Sequence, residues 1–493
     1  MDVNLYWQAY KLLPYEKMLA RKEVQALLKP KSIIEQKDCL VAKDCASPEK
    51  AECTTFFISY EYDGIRKETI QHIREGNERK RQNTRYYVHG IHEYKGKFNP
   101  QVVRALLNIY DVGVNAKVLD PFCGSGTSLF ECMLQGIESY GVDINPMAVY
   151  IARVKTSVYE ELERIVCFDM DGFVNRAKEY AGHFIDERTE ETDYLHGWFE
   201  DEYYRIIESI KHVAISLDSN VLKDVILLLT SNLLRDYSCQ EPSDLRIRRR
   251  KSPYPAMSLW SRLAQEFVSF KEKLVKMQSE NLDCFRKPTI YNESIVAFGK
   301  REEYRNFMDF ALTSPPYATA LPYIDTQRLS LVWLGLARGK DIKRLECSLI
   351  GTREIMNRNT RDLLSQALEK NSGNLSKELH DFCLGLLHKL VDRDGFRKRD
   401  VPLLLYKYFS EMAQMFESVY SVLKEGAYYC LIVGYNKTKI GGDTLIDTPH
   451  FLSVEAERIG FHLKEILSLE TYQRYDLHQK NSITSEALIV LQK

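Results

Sequence analysis

The sequence predicts an α/β fold: a doubly wound sheet carrying two large helical insertions and ending in a pair of strands. Three observations predict it. From about residue 86, short apolar runs alternate with amphipathic helical stretches. The alternation gives way to helical periodicity over 155–287 and again over 327–404. It resumes at 405 and closes on two strand-like runs, "FHLKEILSLETY" and "SEALIVLQK".

Bulk properties frame this reading. A chain of 493 residues exceeds one ordinary core, so it divides into about two to four domains or carries insertions. Apolar residues are 44% and charged residues 28%, a globular composition. The net charge of -1 points to no partner, so a nucleic-acid surface must be a local patch. The 11 cysteines include no C-x-x-C pair, as expected of free thiols in a reducing cytoplasm. No signal peptide and no membrane span are expected. His89, His92 and His450 are isolated, so no metal site is expected.

The elements follow in order. Residues 1–85 read as an N-terminal helical segment, with "EKMLARKEVQALL" its clearest helix. In 86–154, "AKVLD" is a strand and "SLFECMLQG" a helix ending in glycine. "SYGVDI" is a second strand, and "PMAVYIARVK" a helix opened by proline. Residues 155–287 form the first helical insertion. Strands return over 288–326, at "TIYNESIVAF" and "FMDFALTS". Residues 327–404 form the second insertion. In 405–493 come helix "YFSEMAQMFESVYSVL", strand "GAYYCLIVGYN", helix "PHFLSVEAERIG" and the closing strands.

The segment "KVLDPFCGSGTSLFECMLQGIESYGVDINP" carries the first chemical signal. A strand ends at Asp120, a glycine loop follows, and a helix starts near Thr127. Gly124 and Gly126 allow a sharp turn and a close approach to a ligand. A second strand brings Asp143 to the same edge, at about the 20-residue spacing that suits ribose hydroxyls. No lysine follows the glycines, so this is no phosphate loop. Asp120 at the head of the loop would repel a pyrophosphate and attract a cation. S-adenosylmethionine has a sulfonium, an ammonium and a ribose, and fits Asp120 and Asp143 together.

The second signal is "FALTSPPYATALPYID", Phe310 to Asp325: an apolar strand running into Ser314, Pro315, Pro316 and Tyr317. "DPFCGSGT" followed by "TSPPY" resembles the amino-group DNA methyltransferases. The resemblance implies a Rossmann-like sheet with a C-terminal antiparallel strand. It also implies methyl transfer from S-adenosylmethionine to the exocyclic nitrogen of adenine or cytosine. "IHEYKGKFNPQVVRALL", with Lys97 and Phe98, is similar to the motif that packs around the family's cofactor. On the same grounds Asp120, Pro121, Phe122, Gly124, Gly126, Thr127 and Asp143 are the expected cofactor contacts. Asn292 or Glu293 would fill the place of an acid near the adenine ring.

An exocyclic amine is a poor nucleophile because its lone pair is delocalised into the ring. Two acceptors on its N–H groups would free that pair. Ser314 Oγ and the Pro315 carbonyl can supply them, with the prolines fixing the geometry. Tyr317 offers a stacking face for a flipped base. In the family, serine before the prolines goes with cytosine N4 and aspartate with adenine N6, so cytosine N4 is expected. Adenine N6, an RNA base such as guanine N2, and a non-catalytic nucleic-acid-binding module are the alternatives. No Pro-Cys pair exists for attack at cytosine carbon 5, and Cys123 reads as a packing residue.

The expected partner is double-stranded DNA, with single strands or RNA as further substrates. A restriction or defence partner would not be visible in the sequence. "DLRIRRRKSPYP" concentrates Arg246, Arg248, Arg249, Arg250 and Lys251, the expected phosphate contacts. The first insertion, which holds this run, is the candidate target-recognition segment.

Overall fold

The computed structural model describes residues 1–76, 81–244, 246–318, 323–391, 393–470 and 485–493. Residues 471 and 472, the end of an expected strand, lie outside these, as does Leu245 in the arginine run.

Five short strands open the chain: β1 (Val3–Trp7), β2 (Ser32–Glu35), β3 (Cys39–Lys43), β4 (Phe57–Tyr62) and β5 (Ile65–Glu68). They form an antiparallel sheet in the order β2-β3-β1-β4-β5. This corrects the helical reading of residues 1–85. Only Pro14–Leu28 and the short Ile70–Glu75 are α-helical among the described residues there. The strands are four to six residues long, too short for a two-residue period to stand out. Their partners lie across intervening segments, so nothing local announces the pairing. Val3 and Leu5 of β1 are fully buried, and they share a core with Val102, Leu106, Phe310 and Ile432. The small sheet thus helps cover one face of the large one.

The large sheet is built from β6 (Lys117–Asp120), β7 (Glu138–Val142), β8 (Thr289–Tyr291), β9 (Met308–Thr313) and β10 (Leu423–Gly434). A small hairpin, β11 (Asn436–Thr438) with β12 (Thr444–Ile446), stands apart. β13 (His462–Glu470) and β14 (Ser485–Gln492) complete the large sheet. Its order is β13-β14-β10-β9-β6-β7-β8. Pairs from β8 through to β10 are parallel, and β14 is antiparallel to both β10 and β13. The expected doubly wound sheet with a C-terminal antiparallel strand is therefore present. Leu431 to Val433 and Leu488 to Val490 are buried continuously, as strands covered on both faces require.

The strand order reverses at β6, with β7 and β8 on one side and β9 and β10 on the other. Crevices at such switch points, beyond the strands' carboxyl ends, are where open α/β sheets bind ligands. Both sequence motifs sit there. The "TIYNESIVAF" run is not one strand: pairing ends at Tyr291, and Ser294 caps a short helix over Ile295–Phe298. Serine accepting from the Ala297 amide competes successfully with strand extension.

The first insertion is helical, as expected. Met170–Gly182, Asp201–Ile215, Asn220–Leu233 and Leu259–Met277 share a core with Phe130 and Met133 behind the glycine loop. In the second, Arg358–Lys370 and Lys377–His388 pack with the long helix Phe396–Val422.

Candidate active site

The carboxyl ends of β6 and β9 open into one cleft. Asp120, Pro121, Phe122, Gly124 and Thr127 line it from the glycine loop, and Asp143 from the end of β7. Lys97 and Phe98 line it from the preceding segment, and Ser314 and Pro316 from the turn after β9. Two motifs almost 200 positions apart in the chain therefore face the same space.

The two loop glycines have different local causes. Gly126 has φ +72°, and an added Cβ would lie 2.8 Å from Ala152 Cβ on the helix Pro146–Ser157. Gly124 has φ +49° and abuts the Tyr94 ring, 3.2 Å from where a Cβ would stand. Cys123 is buried, and burial pushes its thiol well above the ordinary range. It packs against Gly141, at 3.0 Å from the position of an added Cβ. A buried neutral thiol makes no nucleophile, which agrees with the packing role expected of it.

Asp120 is placed otherwise than a cation site would need. One carboxylate oxygen accepts from the Phe122 amide at 3.1 Å and from Thr313 Oγ1 at 2.7 Å. The other accepts from Ser128 Oγ. Burial pushes its pKa up to about 6, against the pull of these donors. Asp120 is thus a brace between the glycine loop and β9, as well as part of the cleft floor. Thr313, the first residue of "TSPPY", could have been read as a polar anchor in a buried strand. Ser128 gave no signal on its own.

Asp143 is half-buried. Its two oxygens accept from the Gly124 amide at 2.9 Å and the Asn145 amide at 2.8 Å. Burial raises its pKa to about 6. Asn292 donates to the carbonyls of Asp143 and Ile144, at 3.0 and 3.2 Å. It supports that corner from the solvent side, while Glu293, Ser294, Ile295 and Val296 line the cleft. Of the two candidates for that position, Glu293 is the one facing the cleft. Lys97 Nζ donates to the carbonyls of Thr84 and His89 at 2.7 and 2.9 Å. Burial, with Lys155 and Arg85 nearby, pushes its pKa down to about 6. Its amino group ties down the 84–98 segment.

The residues present fit S-adenosylmethionine, the cofactor expected from the sequence. Thr127 Oγ1 is buried with no hydrogen-bond partner among the described residues, at the head of the helix Thr127–Leu134. That hydroxyl and the free amides of the first turn suit a carboxylate. Asp143 has lone pairs left for ribose hydroxyls. Phe98, Ile295, Val296, Leu349 and Ile350 supply apolar walls. Leu349 and Ile350 come from the second insertion and were missed in the sequence, where no pattern marks them as cleft residues.

Ser314 and Tyr317 are half-buried and Pro315 is buried. The Tyr317 hydroxyl donates to Glu486 Oε1 at 2.6 Å.

The arginine run divides. Arg250 donates to the carbonyls of Arg235, Asp236, Ser238 and Pro253 and lies 4.6 Å from the Tyr254 ring centre. Arg249 donates to the Gly197 carbonyl at 2.7 Å and covers Trp198. Arg248 pairs with Asp244 at 2.9 Å yet stays 66% exposed. Arg246 and Lys251 are exposed. Arg250 therefore shapes the loop, while Arg246, Arg248 and Lys251 are displayed to solvent. Gln240 donates to the Asp325 carbonyl at 3.3 Å, joining this loop to the helix that follows the Pro-Pro turn. Among the described residues no helix is long and apolar enough to cross a membrane.

Comparison with known proteins agrees with the motif resemblance. Residues 6–154 match a family model described as DNA methylase. The Type II methyltransferase M.MvaI of Kocuria varians is 28% identical over 271 residues. That alignment covers 52% of this chain and 59% of the relative, so the chain spans about three fifths of that protein's length. M.AvaI of Nostoc sp. is 24% identical over 399 residues, covering 77% of this chain and 80% of the relative. A solved SAM-dependent methyltransferase from Methanosarcina mazei aligns over 77% of this chain and 92% of its own. Its identity is 10% and its TM-score 0.26.

Proposed function

We propose, on the premise of this likeness to amino-group DNA methyltransferases, that the chain methylates a base flipped out of DNA. The acceptor is the exocyclic nitrogen, and cytosine N4 is the favoured one. The observation that carries the reading is the shared cleft. The glycine loop faces one space with Ser314 and Pro316 of the turn, and Asp120 bridges loop and strand through Thr313.

When bound, S-adenosylmethionine supplies an electrophilic methyl group on a sulfonium. The chain's residues hold the acceptor. Ser314 Oγ and the Pro315 carbonyl accept the two amino hydrogens, drawing the nitrogen toward tetrahedral geometry and localising its lone pair. The prolines set the direction of these acceptors before the base arrives. Tyr317 stacks on the base, worth about 1–3 kcal/mol. This offsets part of the few kcal/mol needed to unstack it. Displacement is direct, and no covalent bond to the chain forms. Arg246, Arg248 and Lys251 neutralise phosphates of the duplex and contribute affinity without sequence information.

Nucleoside mass spectrometry of DNA and RNA from cells expressing the protein tests the reading. N4-methylcytosine in DNA, lost in both Ser314→Ala and Tyr317→Ala, is the expected result. N6-methyladenine in its place would keep the enzyme class and overturn the acceptor. Marks confined to RNA, or untouched by either substitution, would overturn the reading as a whole.

A further inference from the structure

Tyr317 is held from three sides by residues outside both motifs. Its hydroxyl donates to Glu486 Oε1 at 2.6 Å. Its ring edge lies over Gly434, where an added Cβ would come within 2.9 Å of Cε2. Its carbonyl faces Gly351, which has φ +78° and would place a Cβ 2.5 Å from that oxygen. Gly434 and Glu486 stand directly opposite each other in the β10–β14 pair. The end of the sheet thus forms a platform under the ring. Gly351 closes on the backbone from the second insertion, one residue beyond the cleft wall at Leu349 and Ile350.

We propose that Glu486 is a positioning residue for the target base, acting through Tyr317. Gly434 and Gly351 leave the room that this pose of ring and backbone requires. The proposal rests on the reading of Tyr317 as the stacking face. A tyrosine on a turn beyond a strand end has two soft torsions and samples several rotamers. A carboxylate accepting its hydroxyl makes a charge-assisted bond stronger than a neutral one. The bare backbone of Gly434 lets the ring settle onto the strand end. A ring fixed beforehand loses no further freedom when the base arrives. Glu486 itself touches neither base nor cofactor in this scheme.

The test is a double-mutant cycle on the full chain, with Glu486→Ala, Tyr317→Phe and the pair. The assay follows tritiated methyl transfer from S-adenosylmethionine to unmethylated phage DNA under single turnover. Each single change should lower the rate roughly tenfold, the scale of one hydrogen bond to a charged group. The double variant should be no slower than either. Glu486→Gln keeps a neutral acceptor and should fall between Glu486→Ala and the unmodified chain, and cofactor affinity should not move in any variant. Losses that multiply, or a wild-type rate in Glu486→Ala, would overturn the proposal. A second arm needs no turnover. With 3-fluorotyrosine incorporated, the fluorine resonance missing in Tyr317→Phe should shift in Glu486→Ala and Glu486→Gln, the other resonances staying in place. An unmoved resonance sinks the clamp even if methyl transfer is intact. A moved one keeps the clamp even if the protein methylates nothing, so the two readings fail separately.

Discussion

Asp120 and Asp143 show how differently two acids of one motif can be employed. Both are raised to about 6 by burial, but Asp120 accepts from Ser128, Thr313 and the Phe122 amide, and Asp143 from two backbone amides. For the free protein the sign follows from the raised value. Between about 4 and 6 the folded chain holds a proton that the unfolded chain has lost. The stability from this group is complete below about 4 and is lost as pH rises through 6. With Asp143 taken as the ribose acceptor, cofactor binding runs the other way, because hydroxyls bond more strongly to an ionised carboxylate than to a neutral one. S-adenosylmethionine affinity, measured by calorimetry from pH 5 to 8, should fall as pH drops through 6. Asp143→Asn should bind at least about tenfold more weakly at pH 8, the scale of one charged hydrogen bond, with a flattened profile. Sequence alone gave the positions of these acids through spacing. It did not give the partners of Asp120, because Ser128 and Thr313 become neighbours only when helix and strand pack.

The glycine loop extends the argument to elements. Gly126→Ala would force Ala152 to give way and strain a left-handed backbone. We expect a loss of about 1–3 kcal/mol in urea unfolding, together with weaker cofactor binding. The strands and helices around this loop were legible because each carries a local signature: an apolar run, a turn residue or a capping proline. The N-terminal sheet was not, since β1 pairs with β3 and β4 across a helix and loops, and short strands leave no period to read. The Tyr291 to Phe298 run failed for a related reason. Its apolar residues suit a strand, but Ser294 caps a helix instead. The cleft walls at Leu349 and Ile350 were equally silent, because an insertion's contacts are set by docking and not by pattern.

On the scale of the whole molecule, near-zero net charge makes the displayed cations of 246–251 the place to look for salt sensitivity. Arg246→Ala with Arg248→Ala should reduce the slope of log affinity against log salt by about 2, one for each phosphate contact. Arg250→Ala, which removes carbonyl contacts within the loop, should instead lower the melting temperature more than it changes that slope. The order of the sheet has one further consequence. β14 lies between β10 and β13, although it follows both along the chain. Until it inserts, β10 presents an open edge of apolar backbone, and the "ALIVL" run of β14 has no place to go. Uncharged, β-prone segments with unpaired edges are the ones that aggregate. The nascent or heated protein is thus open to self-association at the strand carrying Glu486.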